Sequence, residues 1–485
     1  MMLNFDHSLA RALEGFYVPW QAAEPPAPKL ALWNAPLAAA LGLPEAEPEQ
    51  YARWFSGAEA VPGSQPLALA YAGHQFGHFN PQLGDGRALL LGEVLRPDGA
   101  RFDLQFKGSG PTPFSRQADG KSTLSAALRE YLMSEAMAAL GVPTTRSLAV
   151  VLTGEGIWRE TPQPGAVLTR VAASHLRVGT FEWAAAHKGR EAVEQLADYA
   201  LQRHFPERLS ERNRPLALLD AVCEVQAQLV AKWMNLGFIH GVMNTDNVTI
   251  SGETIDYGPC AFLDAYSATQ VFSSIDHNGR YAFGNQPVVC RWNLYRLASA
   301  LIEAIVAVDE ADNEAARLML EQWGERYERH WIAGLRPKLG LATAEEGDLA
   351  LGQTLFAALE GQGADFTRLF RALSASLSEG YGAVGAECSD PEALREWWEL
   401  WQARLAREPL AIAERQAAMD AVNPVYIPRN HLTDAALKAA DTGDMEPFNA
   451  LLELVTHPFV QRDGMEHYAH GAPEGSPAHV TYCGT

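Results

Sequence analysis

The chain has 485 residues, of which 47% are hydrophobic and 20% charged, and these values are typical of soluble globular proteins with a large core. Its formal net charge of -21 excludes the overall basic surface that a nucleic acid or an anionic membrane requires. The five cysteines form no C-x-x-C pair, which excludes a zinc ribbon. The first residues lack a secretory signal and no apolar run reaches spanning length, so we expect a cytoplasmic protein.

The first predicted elements are short and lead into strands. Residues 1–60 are rich in Pro, Ala and Trp, which predicts short helices on an amino-terminal extension that docks on the main body. Alternating apolar and polar residues then predict strands at 67–71, 88–95 and 101–106. Pro97-Asp98-Gly99 supplies a turn between the last two strands, so the segment forms an antiparallel meander.

Helices dominate the rest of the chain. A helix is predicted at 122–140, ahead of Gly141, and is followed by a strand at 147–152. Beyond about residue 171 the apolar spacing is mainly helical. The later predicted helices lie at 216–236, 292–308, 310–333 and 392–419. The exception is the segment 238–256, where short β segments surround a polar loop.

This order of elements predicts an α+β fold of the protein-kinase type, with two lobes. We expect a small β-rich amino-terminal lobe with one helix at 61–170 and a mainly helical carboxy-terminal lobe at 171–400. Residues 401–485 are expected to form a helical segment with a cysteine-containing tail. The island 237–258 carries the strongest chemical signal.

Within that island, His240 and Asn247 have the spacing of a kinase catalytic loop, which begins with His and ends in a metal-binding Asn. Asp256-Tyr257-Gly258 is a variant of the Asp-Phe-Gly element whose Asp binds Mg²⁺. An amide carbonyl and a carboxylate are hard oxygen ligands that can share one Mg²⁺ with nucleotide phosphates. Asn247 and Asp256 are therefore the predicted metal ligands.

One position departs from the kinase pattern. The usual catalytic Asp, two residues after the loop His, is replaced by Val242, which cannot accept a proton. Asp246 is the only carboxylate in the loop itself, and it is either the base or a group that supports the metal site. Taken alone, the loop is better explained by a β-hairpin with solvated Asx turns, and its combination with the residues upstream reverses that preference.

Lys107 and Glu130 precede the island in the order that a kinase uses. Lys107 ends a predicted strand and Glu130 lies in the middle of the next predicted helix. Kinases hold such a Lys on the nucleotide phosphates through an ion pair with the helix Glu. By itself, the pair also fits two solvated surface charges.

Two glycine clusters flank the strand that ends in Lys107. One contains Gly84, Gly86 and Arg87, and the other contains Asp119 and Gly120. Glycine allows the backbone to approach a phosphate closely, and a helix N-terminus offers free amides to an anion. Neither cluster matches a known phosphate-loop pattern, so two tight turns are an equally good interpretation.

Arg170 and Arg177 are seven residues apart. They lie on one face if the segment is helical, and there they would form a clamp for a phosphate in an otherwise acidic protein. The alternative is two surface arginines.

The chain resembles the selenoprotein O family, and the resemblance spans nearly its whole length. The motifs that carry it lie at 71–79, 82–87, 107–116, 119–120, 129–130, 240–258 and 285–287. The family is similar to protein kinases in fold but binds ATP in a flipped orientation. The resemblance therefore implies transfer of AMP from Mg-ATP, with Mn²⁺ as an alternative metal, to Ser, Thr or Tyr hydroxyls of proteins, with release of pyrophosphate. We expect the enzyme to act as a monomer.

The resemblance also implies roles for individual residues. Asp246 would be the proton acceptor, Asn247 and Asp256 the Mg²⁺ ligands, and Lys107 with Glu130 the pair that positions phosphate. The nucleotide site would be lined by Gly84, Gly86, Arg87, Asp119, Gly120, Arg170 and Arg177. Of these, the two arginines of the 170–177 segment would hold the γ-phosphate end.

The carboxy-terminal residues 482–485 resemble the family's terminal redox element. In some members its cysteine forms a disulfide with a cysteine in the loop after the Asp-x-Gly motif. Here Cys483 is the tail cysteine, but 266–275 contains no cysteine, and Cys260 and Cys290 are the nearest candidates.

Two other functions fit the residues. A phosphotransferase of the aminoglycoside-kinase or small-molecule-kinase type also combines a His-Gly loop with a metal-binding Asn. A catalytically inactive pseudokinase scaffold is suggested by Val242. The products discriminate among them, because adenylyl transfer releases pyrophosphate whereas phosphoryl transfer releases ADP.

Overall fold

A computed structural model describes residues 4–159 and 161–481 and shows a mixed α+β protein. Within these residues nine strands form one sheet. They are β1 (Phe5–Asp6), β2 (Tyr17–Pro19), β3 (Lys29–Trp33), β4 (Leu67–Leu69), β7 (Ala88–Leu95), β8 (Arg101–Lys107), β9 (Ser122–Thr123), β10 (Arg146–Trp158) and β11 (Pro162–Ala172). Two small strand pairs lie outside this sheet, namely β5 (Gly73–Gln75) with β6 (His78–Asn80), and β12 (Phe238–Ile239) with β13 (Ala261–Phe262).

Six helices lie among the described residues up to His204. They are α1 (Ser8–Ala12), α2 (Ala35–Ala40), α3 (Pro48–Ser56), α4 (Leu124–Ala139), α5 (Val178–His187) and α6 (Arg190–His204). The later helices are α7 (Arg214–Leu236), α8 (Gln286–Val308), α9 (Asp312–Glu321), α10 (Trp323–Lys338), α11 (Asp348–Leu359), α12 (Phe366–Glu379), α13 (Gly382–Gly385), α14 (Arg395–Leu405), α15 (Ile412–Asp420), α16 (Asn430–Asp441) and α17 (Glu446–Val455). No helix in the described part of the chain is long and apolar enough to cross a bilayer.

The sheet has the order β2-β4-β7-β8-β11-β10-β3, and its neighbouring strands are antiparallel. The predicted meander is present, because β7 pairs with β8 from Ala88 opposite Lys107 to Leu95 opposite Arg101. The adjoining strand β11 places Arg170 opposite Gln105 of β8. This register brings Lys107 of β8 and Arg170 of β11 to the same part of the sheet.

Several predicted elements differ from the structure. The extension at 1–60 contributes not only short helices but also β1, β2 and β3, which pair with the main sheet. The single helices predicted at 310–333 and 392–419 are each divided into two. The second division falls at residues 406–411, which contain Pro409, and proline cannot donate the backbone hydrogen bond of a helix interior.

Candidate active site

The polar island is a buried loop between two short strands. The helix α7 ends at Gly237, whose φ of +71° gives the left-handed turn that stops the helix. The strands β12 and β13 pair beyond it, and a 3₁₀ turn at Thr245–Asn247 lies between them. Asp246 is buried, so the solvated hairpin considered above is wrong.

His240 ties this loop to the segment that leads to Asp256. Its ring Nε2 lies 2.8 Å from the carbonyl oxygen of Ile255, and its backbone N–H donates to Gln286 Oε1 at 3.0 Å. Burial lowers the pKa of His240, so the ring is neutral at pH 7 and Nε2 carries the donated proton. The loop His therefore has a structural contact that fixes where the next carboxylate lies.

The Asp256 carboxylate is surrounded by cations. Its Oδ1 lies 2.7 Å from Lys107 Nζ and 2.9 Å from Arg170 Nη1, and its Oδ2 lies 3.2 Å from Arg177 Nη1. Burial alone would raise the pKa of Asp256, but these three charges outweigh burial and hold it well below its ordinary value. Asp256 is thus a permanent anion at pH 7, as a carboxylate ligand of a metal ion has to be.

Glu130 lies behind the same cations. Its Oε2 is 2.5 Å from Lys107 Nζ, and its Oε1 is 3.3 Å from Arg170 Nη1. Both carboxylate and ammonium are largely buried, so the alternative of two solvated surface charges is wrong. The predicted pair is formed, while its role toward phosphate stays a prediction.

Arg170 and Arg177 converge on Asp256 by a route that the helical spacing did not predict. Arg170 lies in β11, and Arg177 is the extended residue that precedes α5, with φ of −127° and ψ of 163°. The prediction of one helical face is therefore wrong, because a strand and a helix cap meet here. Each is at most 3% exposed, which also excludes two surface arginines.

No cation of a described residue contacts the carboxylate oxygens of Asp246. Its Oδ1 is buried and has no hydrogen-bond partner among the described residues, and its Oδ2 is 3.4 Å from Gln75 Nε2. Arg177 Nη1 donates to the backbone carbonyl of Asp246 at 2.7 Å, not to its carboxylate. Burial raises the pKa of Asp246 to about 6, against the attraction of Arg177. This carboxylate can change its protonation state near neutral pH.

Asn247 follows directly and its amide is oriented. The Nδ2 atom donates to the carbonyl oxygen of Val242 at 2.9 Å, which leaves Oδ1 as the group available to a cation. Asp246 and Asp256 line the same cavity. A set of carboxylate and amide oxygens suits Mg²⁺, so the residues present fit this metal.

Both glycine clusters line the cavity. Gly84 has φ of +73°, and a Cβ there would meet the Phe114 ring at 2.4 Å. Gly120 has φ of +66°, and a Cβ there would meet Gly110 at 2.3 Å. Asp119 is paired with Arg159 at 2.7 Å. The left-handed backbone and the close neighbours at Gly84 and Gly120 require glycine, and binding of phosphate by these backbones stays a prediction.

These features enclose one cavity of about 340 Å³, which is in the range of small-molecule sites. The predicted site residues that line it are Gly84, Gly86, Arg87, Lys107, Asp119, Gly120, Arg170, Arg177, Asp246, Asn247 and Asp256. Glu130 is the predicted residue that is not part of the lining; it contacts the cavity through Lys107.

Sequence reasoning missed three groups at the site. Asp85 is buried, its Oδ2 accepts from Gln105 Nε2 at 3.1 Å, and burial raises its pKa to about 6. Gln75 contacts the Asp246 carboxylate, and a Cβ on Gly73 would lie 2.5 Å from Asp246 Oδ1. Gln75 and Gly73 belong to the 71–79 motif. This motif contributes to the family resemblance, but the sequence assigned it no role at the site.

The described tail ends beside the loop that follows Asp256. Thr481 Oγ1 donates to the carbonyl of Pro259 at 2.9 Å, and its backbone N–H donates to the carbonyl of Phe272 at 2.8 Å. Cys483 lies outside the described residues. Cys260 and Cys290 are fully buried, and burial raises the pKa of both thiols, that of Cys260 to about 11. The redox pairing stays a prediction.

Comparison with known proteins gives one consistent result. Residues 1–456 match the family model described as protein adenylyltransferase SelO. A protein of Sphingopyxis alaskensis named protein nucleotidyltransferase YdiU is 54% identical over 491 residues, with all of both chains covered. Proteins of the same name from Cereibacter sphaeroides and Rhizobium rhizogenes are 54% and 50% identical, with all of this chain and 100% and 97% of theirs covered. The chain therefore belongs to the SelO family and is a nucleotidyltransferase.

Proposed function

We propose that this enzyme is a protein adenylyltransferase with a two-lobed, kinase-like fold. It transfers AMP from Mg-ATP, bound in the flipped orientation, to Ser, Thr or Tyr hydroxyls of proteins. The observation that carries the proposal is the contrast between two carboxylates that line the cavity. Asp256 is surrounded by Lys107, Arg170 and Arg177, whereas the Asp246 carboxylate forms no ion pair with a described residue.

The cations around Asp256 suit the terminal phosphates of ATP. Lys107, Arg170 and Arg177 are held by carboxylates from different elements, so they are preorganised before the nucleotide arrives. Arginine forks bind phosphate oxygens through paired N–H donors. With the γ-phosphate bound by these three cations, the proposed orientation directs the α-phosphorus toward Asp246.

Asp246 supplies the proton acceptor in this scheme. The acceptor hydroxyl attacks the α-phosphorus, the bond from that phosphorus to the bridging oxygen breaks, and pyrophosphate leaves. The hydroxyl proton goes to the carboxylate of Asp246, which forms no ion pair with a described residue. A pKa of about 6 keeps this carboxylate ionised at pH 7 yet basic enough to take the proton.

Asn247 and Asp256 would hold Mg²⁺, with the carboxylate of Asp246 beside them. When bound, the metal supplies charge neutralisation on the phosphate oxygens. The cations around Asp256 then have two partners, the carboxylate and the phosphates. The domain limits, the monomeric state and the cytoplasmic location given above belong to this proposal as well.

The test determines which phosphate of ATP is transferred to the protein acceptor. Wild-type enzyme and Asp246→Asn are incubated in parallel with α-labelled ATP or γ-labelled ATP, Mg²⁺ and a protein acceptor. We expect protein labelling from the α position only, with pyrophosphate as co-product. Asp246→Asn should bind ATP with unchanged affinity and transfer about 10² to 10⁴ times more slowly.

Two outcomes would contradict the proposal. Protein labelled from the γ position would identify a phosphotransferase. Nucleotide binding without turnover in the wild type would identify an inactive scaffold. Equal rates for wild type and Asp246→Asn would be compatible with AMP transfer but would show that Asp246 is not the proton acceptor.

A further inference from the structure

We infer that a partly exposed stripe on α8 docks an acidic segment of the protein acceptor. The inference rests on the proposed function, since it names the kind of acceptor that reaches the same cavity. The stripe consists of Val288, Arg291, Trp292, Tyr295 and Arg296.

The spacing of the stripe places all five side chains on one face of the helix. The positions follow i, i+3, i+4, i+7 and i+8, which is the face pattern of an α-helix. Val288 is 69% exposed, and the four other side chains are half-buried. The opposite face packs into the core through Val289, Cys290, Asn293, Leu294 and Leu297. The helix therefore has a filled core face and a second, partly exposed face of aromatic, apolar and arginine side chains.

The arginines of this surface lack acidic partners. The ion pairs of residues 4–159 and 161–481 include none to Arg291 or Arg296, nor to the neighbouring Arg280. The Nε atom of each is buried without a hydrogen-bond partner among those residues. In a chain with 59 acidic and 38 basic residues, three arginines without a carboxylate make a local positive patch.

Aromatic rings hold the guanidinium groups in place. Arg280 and Arg296 lie over the Trp292 ring, with their Cζ atoms 4.6 Å and 5.4 Å from its centroid. Arg291 lies over the Tyr295 ring at 5.7 Å. Stacking fixes the position of the cations without neutralising their charge, so they stay available to an anion.

The stripe adjoins the base through the β5–β6 hairpin. The His74 ring lies 5.4 Å from the Trp292 ring and 4.9 Å from that of Phe79, which is 45% exposed. The next residue, Gln75, contacts the Asp246 carboxylate. A chain lying across the hairpin and the stripe would approach the cavity from the Asp246 side. This is the side where the proposed function needs the acceptor hydroxyl.

The composition of the surface indicates the chemistry of its partner. Trp, Tyr and Arg are enriched among the residues that contribute most to protein interfaces. The unpaired arginines favour Glu and Asp, and the exposed Val288 and Phe79 favour an apolar side chain nearby. A symmetric contact with a second copy would place the arginines against each other, which is repulsive. An acidic acceptor segment with an apolar residue satisfies both features.

The experiment uses two peptides and a charge swap in the full-length enzyme. Both peptides carry one Ser flanked by Leu, with either Glu or Lys at the surrounding positions. We expect the Arg291→Glu/Arg296→Glu variant to raise KM for the Glu peptide about 10-fold and to lower KM for the Lys peptide. ATP affinity should not change. Arg291→Ala/Arg296→Ala should give a smaller loss for the Glu peptide and serves if the double Glu variant does not fold.

The matched control is Arg395→Glu/Arg407→Glu, which changes the net charge equally at exposed arginines outside the stripe. The control should leave both KM values unchanged. An equal loss in the control, equal KM values for the two peptides in the wild type, or transfer to other proteins but to neither peptide would overturn the inference. A wild-type dimer that the charge swap dissociates in sedimentation would assign the stripe to a second copy and overturn it too. Absence of α-label transfer to any protein would instead refute the proposed function.

Discussion

Asp246 and Asp256 are buried carboxylates of the same island, and burial acts to raise the pKa of both, yet the two pKa values move in opposite directions. Asp256 has three cations on its oxygens, and its pKa is held well below the ordinary value. Asp246 has an arginine only on its backbone carbonyl, and its pKa is raised to about 6. The difference teaches that the neighbours of a buried acid decide whether it is a fixed charge or a group that exchanges protons.

The largest effect on AMP transfer is expected from removing the permanently ionised carboxylate of Asp256. Asp256→Ala should abolish AMP transfer, because it removes a proposed metal ligand. It should also lower the free energy of unfolding by about 2–3 kcal/mol, since it leaves buried cations with fewer partners, although Glu130 still pairs with two of them. Urea denaturation and a transfer assay on the same sample measure both. A variant that is inactive with unchanged stability would show that the cation cluster contributes nothing to folding.

A substitution of Asp246 is expected to change the free energy of unfolding in the opposite direction. Above pH 6 the folded protein keeps Asp246 ionised in a buried place, although its pKa is raised from 3.8 to about 6. The wild type is therefore destabilised at pH 7, and Asp246→Asn should raise the free energy of unfolding by about 2 kcal/mol. The gain should shrink as the pH falls from 6 toward 4, where the wild-type carboxyl becomes protonated. Urea denaturation at several pH values checks this, and a loss of stability at pH 7 would contradict it.

The same pKa predicts an acid limb in the rate. A general base acts only when it is deprotonated, and kcat/KM reports the pKa of the free enzyme, so kcat/KM for AMP transfer should be constant above pH 7 and fall about tenfold per pH unit well below pH 6. Asp256 should add no inflection in this range, because its pKa lies far lower. Rates measured at subsaturating ATP and acceptor from pH 5 to 8 test the assignment. A rate that does not vary with pH in that range would show that Asp246 is not the base.

Much of this site could be predicted from local patterns, and the rest depends on contacts between distant segments. The strand β7 and the helix α7 follow the apolar spacing of their own residues, and the His240 to Asp256 spacing locates the island. By contrast, Arg170 lies in a strand because β8 pairs with its segment, which no helical spacing can indicate. Likewise Gly73 is far from Asp246 in sequence, and only the folded chain brings them together.

Gly73 offers a smaller, purely steric way to disturb the base. A Cβ at this position would lie 2.5 Å from Asp246 Oδ1 and 2.8 Å from Leu83 Cδ1, so Gly73→Ala should displace the carboxylate. We expect kcat to fall about 10-fold with ATP affinity unchanged, because misplacing a catalytic group by about 1 Å is costly. Gly156→Ala is the matched control, since a Cβ there meets nothing within 4 Å. Equal kcat values for the two variants would show that the hairpin does not position the base.

The smallest effect is expected at Gln75, whose contact with Asp246 is long. The distance from Nε2 to Oδ2 is 3.4 Å, and a hydrogen bond of this length contributes little. It nevertheless is the one side-chain donor that a described residue offers to this carboxylate, and it favours the ionised form. Gln75→Ala should therefore move the acid limb of kcat/KM to higher pH by a few tenths of a unit, which lowers kcat/KM about twofold well below pH 6 and changes it little at pH 7. Gln75→Glu would add a second negative charge and should move the limb further in the same direction. A limb that moves to lower pH in either variant would mean that Gln75 does not stabilise the ionised base.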